Sequence, residues 1–450
     1  MKNWDTERVA QAAGARILAA APGGGGPQRV AIDSRDLAPG DLFIGLAGAR
    51  EDGGRFATQA LEAGAWGVAV RPVFAPRGPQ TGAVLTTEAP LAALQALAHA
   101  WRQELGARVV AVTGSTGKTS TKDILAALLA RERRTVASPR NYNTEIGLPL
   151  AILAAPAGTQ VLVLELAMRG PGQIAALAAI CRPEVGVIVN VGPAHLELLG
   201  SLEAIAAAKA ELLSALPPDG TAVIPADEPL LDPHLPERLR VLRFGPGGDV
   251  HVVSSASDGV TIEAEGELIE LDVDFRSSHL LTDLCAAVAA SRALGVAVGG
   301  TYDVVFSGLR GERVELAGGV TIINDCYNAN PMSMRAALEQ LGSDTLAARR
   351  LAVIGDMLEL GAADEERYHR ELGELARDVG VLLLVTVGPR AELAGEAFRG
   401  GEHIHVEEAG EVASTLEPLL RRGDVVLVKG SRGVGLETVA RALALARVTS

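Results

Sequence analysis

The sequence is poor in the residues that mark several classes of protein. It has three cysteines in 450 residues, Cys181, Cys285 and Cys326. Their wide spacing argues against a cysteine-based zinc site, and their odd number gives no disulfide framework. Aromatic residues make up 3% of a chain that is 48% apolar, which predicts a core of small and aliphatic side chains. So few cysteines are typical of a reduced, cytoplasmic setting.

Positive charge is also scarce. The chain has 41 basic and 55 acidic residues, for a net charge of −14. A protein that binds nucleic acid or an anionic membrane through a broad surface needs a basic face, so we expect neither partner. Any anionic ligand has to be bound by local features.

Long hydrophobic runs are missing as well. The longest uncharged segment, 146–164, is interrupted by two prolines and two glycines, which predicts a helix, a turn and a strand instead of a membrane span. The first residues include Asp5 and Glu7 and lack the apolar core of a signal peptide. We therefore expect a soluble protein without membrane insertion.

What the sequence does have is a glycine-bracketed loop between a strand and a helix. Residues 109–112 favour a strand, and the helix after the loop repeats Ile124, Leu125, Leu128 and Leu129 at three- and four-residue steps. Converging backbone N–H groups and a helix N-terminus make such a loop an anion site, with a lysine for phosphate and a hydroxyl for Mg²⁺. The alternative is a plain strand-to-helix turn. The loop consists of Gly114, Ser115, Thr116, Gly117, Lys118, Thr119 and Ser120.

Strand and helix patterns divide the chain into three α/β domains. Residues 1–87 form a small α/β module. Residues 88–309 predict a P-loop-type parallel sheet with an antiparallel insert from Asp249 to Phe275. Residues 310–450 restart the alternation and predict a doubly wound α/β domain. Because ligands of parallel sheets lie beyond the carboxyl ends of the strands, polar residues at those ends are the candidates for a site.

Two charged residues of the central domain stand where burial is expected. Glu165 lies in the apolar strand 161–166, where a carboxylate is costly without a cation or a buried salt bridge. Lys209 falls in the middle of the apolar stripe of its helix when residues are placed about 100° apart. It either snorkels to the surface or is functional, as a neutral amine that takes up CO₂ and becomes a carbamate ligand for a divalent metal. His195, in a loop after a strand, is by itself more typical of a structural histidine.

Polar clusters follow several other strands. Three of them, at 324–331, 355–361 and 429–433, lie on one edge of the C-terminal sheet, which makes a site more probable than three ordinary loops. Two further polar loops are 33–35 and 141–143. For the first of these, a solvated turn is an equal alternative.

These segments, in this order and along essentially the whole chain, resemble the Mur ligases of peptidoglycan synthesis. The Tyr-Asn-Ala-Asn segment at 327–330 and the Gly-Asp-Met-x-Glu-Leu-Gly segment at 355–361 are typical of the branch that acts on D-alanyl-D-alanine. The resemblance is carried further by Asp33-Ser34-Arg35, the phosphate loop, Asn141 and Asn143, Glu165-Leu166, His195-Leu196-Glu197, Ala208-Lys209-Ala210-Glu211 and Lys429-Gly430-Ser431-Arg432.

The resemblance implies an ATP-dependent, monomeric cytoplasmic ligase. It would join D-alanyl-D-alanine to UDP-N-acetylmuramoyl-tripeptide through an acyl phosphate, with ADP and phosphate as the other products. The alternatives are a relative that adds a single amino acid, including a folylpolyglutamate-synthase-like ligase, and a non-catalytic nucleotide-binding protein on the same fold.

The resemblance also implies roles for single residues. Catalysis would depend on Lys118, Glu165, His195, carbamylated Lys209 and Arg313. Two Mg²⁺ ions would be held by Thr119, Glu165, His195 and Lys209. ATP would be bound by residues 114–120 with Asp325, Asn328 and Asn330. The other substrates would be bound by Ser34, Arg35, Asn141, Asn143, Asp356, Lys429 and Ser431.

Several positions depart from the family pattern, among them Thr144, where an asparagine is usual, and Leu436, where a methionine is expected. Two further departures bear on substrate binding. Gly54 stands where the family has a histidine, which weakens the case for a histidine in UDP binding. Asp283 stands where an asparagine is expected to contact adenine, so that contact is in doubt.

Overall fold

The structure, a computed structural model, describes residues 1–256 and 259–448, and within them three β-sheets follow one another along the chain. The N-terminal sheet has the order β1-β5-β4-β3-β2, and only β1 runs antiparallel to its neighbour. Its elements are α1 (Thr6–Ala13), β1 (Arg16–Ala19), β2 (Val30–Ala31), β3 (Leu42–Ile44), α2 (Ala57–Glu62), β4 (Gly67–Val70) and β5 (Ala83–Thr86).

The central sheet has the order β15-β14-β13-β12-β11-β10-β9-β6-β8-β7, and the strands from β7 to β11 are parallel. Its helices are α3 (Pro90–Leu105), α4 (Lys118–Ala130), α5 (Gly147–Ala154), α6 (Gln173–Cys181), α7 (Leu196–Leu199), α8 (Leu202–Ser214) and α9 (Ser278–Ala293). Its strands are β6 (Arg108–Thr113), β7 (Thr135–Ala137), β8 (Val161–Glu165), β9 (Val185–Ile188), β10 (Thr221–Pro225), β11 (Arg240–Phe244), β12 (Val250–Ala256), β13 (Gly259–Ala264), β14 (Glu267–Asp272) and β15 (Gly300–Thr301).

The C-terminal sheet has the order β16-β17-β21-β18-β19-β20, with only β16 antiparallel. Its strands are β16 (Glu312–Leu316), β17 (Val320–Asn324), β18 (Arg349–Gly355), β19 (Val381–Val387), β20 (Glu402–Val406) and β21 (Asp424–Lys429). Its helices are α10 (Pro331–Ser343), α11 (Ala362–Asp378), α12 (Glu392–Ala397), α13 (Ala409–Leu416) and α14 (Val439–Val448).

The central sheet is buried on both faces because alternate residues of its strands point to opposite sides. In β6, Val110 and Val112 pack with α4 and α9, while Val109 and Ala111 pack with α3, α5, α6 and α8. This double burial explains why the strand is continuously apolar. It also leaves the carboxyl ends of the strands as the place for polar groups.

The predicted α/β fold is confirmed, including the antiparallel insert formed by β12, β13 and β14. The expected turn between β12 and β13 includes residues 257 and 258, which lie outside the described residues. Segment 146–164 contains α5 and part of β8, as predicted. No helix among the described residues has the length and apolar character needed to cross a membrane.

Candidate active site

The phosphate-type loop, residues 114–120, is shaped by Gly117 and by the end of the neighbouring strand β9. Gly117 has a φ of 76°, and a Cβ there would lie 2.6 Å from Oδ1 of Asp283, so a larger residue would be both strained and crowded. Asn190, just beyond β9, accepts hydrogen bonds from the N–H groups of Ser115 and Thr116, both at 3.0 Å. Sequence reasoning missed Asn190, whose only signal was a polar residue after a strand adjacent to β6.

Lys118 lies at the start of α4 with its ammonium turned back onto this loop. Its Nζ donates to the carbonyl of Gly114 at 2.7 Å. Burial lowers the pKa of Lys118, the nearby Arg310 charge lowers it further, and Glu165 opposes both effects. The lysine therefore contacts the loop and lies within electrostatic reach of the Glu165 carboxylate.

Glu165, the last residue of β8, is 2% exposed and is held by neutral donors. Its Oε2 accepts from the Thr119 hydroxyl at 2.6 Å, and its Oε1 accepts from the Asn143 amide at 2.8 Å. No described residue forms an ion pair with it, so the buried salt bridge considered from the sequence is not present there. A hydroxyl, a carboxylate and an amide thus converge at the start of α4.

Lys209 lies in α8 and is 2% exposed, which rules out snorkelling. Within the described part of the chain, no residue donates to, accepts from or pairs with its ammonium group. Burial lowers the pKa of Lys209 well below its usual value, and the charge of Lys118 lowers it further. The side chain is therefore a buried amine that favours its neutral form.

His195, between β9 and α7, has a φ of 59° and a side chain that is 25% exposed. Its Nδ1 is hydrogen-bonded to Oε2 of Glu359, which follows β18 in the C-terminal sheet. Burial lowers the pKa of His195, while Glu359 raises it and the charges of Lys118 and Lys209 lower it. The histidine therefore lies in the same electrostatic neighbourhood as the two lysines.

The loop after β17 reaches the phosphate-type loop. Nδ2 of Asn330 lies 3.4 Å from the carbonyl oxygen of Ser115, although the two residues follow strands of different sheets. Lys429, at the end of β21, pairs with Asp325 at 2.7 Å and donates to the carbonyl of Asn328 at 2.9 Å. The Lys429 ammonium is thus engaged in shaping this loop.

Ser431 connects two of the C-terminal loops. Its hydroxyl accepts from the backbone N–H of Leu358 at 2.9 Å and lies 3.5 Å from the carbonyl oxygen of Ala329. The segments after β17, β18 and β21 are therefore tied together on one edge of the sheet.

Two arginines near the start of the C-terminal sheet have different surroundings. Arg313 is paired with Asp344 at 2.7 Å. Arg310 instead lies over the ring of Tyr327, 4.1 Å from its centroid, and its charge acts on both Lys118 and Asp283. Both arginines line the cavity described below, but it is Arg310, which the sequence reasoning missed, whose charge acts on groups of the phosphate-type loop.

Asp283 is 4% exposed, and burial raises its pKa well above the usual value, while the nearby Thr121 hydroxyl and the Arg310 charge lower it. Its position against Gly117 fixes it beside the loop.

Most of these groups line a cavity of about 1520 Å³, which is formed by residues of the central and C-terminal domains. Asn141 and Asn143 line it, as do Lys118, Glu165 and His195. Five predicted site residues do not line it. Asp356 accepts from the N–H groups of Arg390 and Ala391, and Ser34 and Arg35 lie in the N-terminal region, none of whose residues 1–87 lines the cavity. Gly114 and Lys209 lie outside the lining as well.

Comparisons with known proteins match this architecture. Residues 112–291 match the Mur ligase middle domain, and residues 309–432 match the Mur ligase, glutamate ligase domain. The chain is 36% identical over 428 residues to the UDP-N-acetylmuramoyl-tripeptide–D-alanyl-D-alanine ligase of Bacillus subtilis, covering 92% of each chain.

Solved structures of MurF superpose on this fold. The crystal structure of MurF from Acinetobacter baumannii superposes with a TM-score of 0.86 at 27% identity, covering 98% of this chain and 99% of that one. MurF from Thermotoga maritima, solved in complex with ADP, superposes with a TM-score of 0.79 at 31% identity, covering 94% and 98%. The chain therefore belongs to the Mur ligase family, among the UDP-N-acetylmuramoyl-tripeptide–D-alanyl-D-alanine ligases.

Proposed function

We propose that the protein joins D-alanyl-D-alanine to UDP-N-acetylmuramoyl-tripeptide at the expense of ATP, releasing ADP and phosphate. The observation that carries this proposal is the meeting of the phosphate-type loop with the loops of the C-terminal sheet, where Asn330 contacts Ser115. ATP is thereby enclosed between two domains, and the reacting groups are shielded from water. The relatives' names supply the substrates.

The ATP phosphates are bound by residues 114–120. Lys118 turns from the Gly114 carbonyl towards the β and γ oxygens, and the N-terminus of α4 adds its dipole. Asp325, Asn328 and Asn330 bind ATP from the opposite side. Arg310 takes the part first assigned to Arg313, because Arg313 is already paired with Asp344.

Mg²⁺ fits the side chains around Glu165. Thr119 and Glu165 offer a hydroxyl and a buried carboxylate, the hard oxygen donors that Mg²⁺ prefers. The described residues hold no cluster of three or more histidine, cysteine or acidic ligands, which suits an ion completed by phosphate oxygens and water. When bound, Mg²⁺ neutralises charge on the transferring phosphate.

A second ion is served by His195 and Lys209. The neutral Nζ of Lys209 attacks the carbon of CO₂, a C–N bond forms as one C=O π bond opens onto oxygen, and one proton passes from nitrogen to solvent. The product is a carbamate, an anionic oxygen ligand in place of an amine. Support comes from the burial of Lys209 without any polar partner in the described chain.

Ligation then needs two displacements. The terminal carboxylate of the tripeptide attacks the γ-phosphorus, and the bond from that phosphorus to the bridging oxygen breaks. The products of this step are an acyl phosphate and ADP. The amine of D-alanyl-D-alanine attacks the acyl carbon, the C–O bond to phosphate breaks, and the amine loses a proton. Lys118 and Arg310 offset the negative charge of the transferring group.

The remaining assignments concern the other substrates and the domain limits. Residues 1–87 form the domain that binds the UDP end, through Ser34 and Arg35, and 88–309 and 310–450 form the other two. Asn141 lines the cavity on the tripeptide side. Asn143, Lys429, Ser431 and Asp356 support this site indirectly, because each is already hydrogen-bonded within the protein. We further propose that the protein acts as a cytoplasmic monomer.

Phosphate release by the purified protein tests the proposal. We expect release only when ATP, Mg²⁺, the tripeptide nucleotide and D-alanyl-D-alanine are all present, and no release from a Lys118→Met variant. Equal release with a single amino acid would instead favour a single-residue ligase. ATP binding without turnover under any acceptor would favour a non-catalytic protein.

A further inference from the structure

The contact between His195 and Glu359 joins two sheets that are far apart in the sequence. His195 follows β9 of the central sheet and Glu359 follows β18 of the C-terminal sheet. Nδ1 of His195 and Oε2 of Glu359 are hydrogen-bonded. An ionised carboxylate only accepts hydrogen bonds, so Nδ1 carries the proton and Nε2 is left with its lone pair.

Both residues adopt a backbone conformation that is costly for a side chain of this size. His195 has a φ of 59° and Glu359 a φ of 63°, both in the left-handed region. Such conformations persist only where the surrounding structure supports them. Two of them meeting in one contact indicate that the contact is specified by the fold on both sides.

Further groups hold Glu359 against the central sheet. The backbone N–H of Glu197 donates to the carbonyl oxygen of Glu359 at 3.2 Å. A Cβ on Gly361 would lie 3.5 Å from Cα of Glu197, so the two backbones are closely packed. The guanidinium of Arg169 lies 3.8 Å from the other carboxylate oxygen. Glu359 is therefore surrounded by central-domain groups.

We propose that Glu359 is the positioning residue of His195, and that it makes metal binding at His195 depend on closure of the C-terminal domain. The proposal rests on the proposed function, in which His195 serves a Mg²⁺ ion. A carboxylate that receives one imidazole N–H fixes the ring and raises the basicity of the other nitrogen towards a metal. Here that carboxylate comes from another domain.

A consequence follows from linkage. If closure strengthens metal binding, the metal strengthens closure by the same factor, because the coupling between the two is reciprocal. Truncation of a carboxylate in this position typically weakens metal affinity by about 10- to 100-fold. Glu359 is thus expected to affect both metal affinity and the compactness of the protein.

Mn²⁺ affinity tests the inference directly. Isothermal titration with Mn²⁺ in the presence of the non-hydrolysable analogue AMP-PNP would compare the wild type with Glu359→Ala and Glu359→Gln. We expect an affinity loss of about 10- to 100-fold for Glu359→Ala and a smaller loss for Glu359→Gln, which keeps an acceptor oxygen. Small-angle scattering should show that Mn²⁺ with AMP-PNP compacts the wild type more than Glu359→Ala.

The matched control is Arg169→Ala. Arg169 is 74% exposed and approaches the same carboxylate without contacting His195, so its loss should change Mn²⁺ affinity by less than about threefold. Circular dichroism establishes whether each variant is folded. If Glu359→Ala does not fold, the test is made with Glu359→Gln alone. Unchanged Mn²⁺ affinity in the folded Glu359 variants would overturn the inference while leaving wild-type ligation intact. Failure of the proposed function would appear instead as a wild type without ligation.

Discussion

Two lysines of the central domain are equally buried and very differently surrounded. Lys122 in α4 and Lys209 in α8 are each 2% exposed, and their helices pack on opposite faces of the central sheet. Nζ of Lys122 donates to the carbonyl of Ser138 at 2.8 Å and pairs with Asp123 at 2.9 Å. Lys209 has no such partner among the described residues.

The comparison shows that burial alone does not mark a functional lysine. A buried ammonium is tolerated when hydrogen bonds and a counter-charge replace its water, and Lys122 has both. Lys209 has neither, so the free-energy cost of burying its ammonium group is reduced only when the group loses its proton, as the lowered pKa indicates. We infer that Lys122 serves stability and Lys209 serves chemistry.

The largest expected effect is on catalysis at Lys209. Lys209→Ala removes the amine that we propose carries the carbamate, and we expect ligation to fall by about 10³-fold. Added bicarbonate should not restore it, because no amine remains to be modified. Phosphate release under saturating substrates measures the effect. Full activity in this variant would remove the distinction between the two lysines.

A second prediction concerns stability instead of activity, and here the larger effect is expected at Lys122. Lys122→Met leaves Asp123 without its cation and Ser138 without a donor, and should lower the unfolding free energy by about 3 kcal/mol. Lys209→Met replaces an unpartnered amine with an apolar chain of similar length and should not lower stability. Urea unfolding of both variants without metal or nucleotide measures the difference. Equal destabilisation by the two substitutions would contradict the comparison.

The same criterion separates two arginines. Arg313 has a carboxylate partner in Asp344, whereas Arg310 stacks on Tyr327 and has no ion pair in the described chain. Arg310→Ala should reduce kcat by about 10²-fold, because it removes a cation near the transferring phosphate. Arg313→Ala, the matched control three residues away, should change kcat by less than about threefold. A larger loss in the control would restore the assignment made from sequence.

The sequence predicted the elements of the fold better than the partners of its charges. The helix after the phosphate-type loop and the antiparallel insert lie where they were predicted, because apolar periodicity and strand alternation are local signals. Lys122 was overlooked although it lies three residues before Leu125 on the same face of α4. Its partner Ser138 lies 16 residues away, and Asp123 is bonded to the backbone N–H of Ser307, 184 residues away. No local pattern contains such contacts.

The two arginines illustrate the same limit at short range. Arg310 and Arg313 are three residues apart, and which of their charges acts on the loop depends on how the chain leaves the central domain. Leu309, immediately before Arg310, has a φ of 63°, an unusual conformation for leucine that residue type does not predict. The acidic and basic residues of the site were therefore predictable as candidates, but the directions in which their side chains point were not.

The smallest expected effect is the pH dependence of stability. The pKa of Lys209 is lowered in the folded protein, so between that pKa and its ordinary value near 10.5 the unfolded chain binds a proton that the folded chain does not. Stability from this group therefore rises with pH through that window, by at most about 1.4 kcal/mol per pH unit. Lys209→Met lacks the group and should show a flatter profile.

Urea unfolding between pH 7 and 10, in metal-free buffer and with CO₂ excluded, isolates this contribution as wild type minus Lys209→Met. The titrating groups that do not interact with Lys209 are common to both proteins and cancel in the difference. Lys118 is coupled to Lys209 by charge, so its titration is part of the measured contribution. A difference that stayed constant or fell with rising pH would mean that Lys209 remains charged when buried. It would then need a counter-charge, as Lys122 has in Asp123, and the two lysines would no longer represent different solutions to burial.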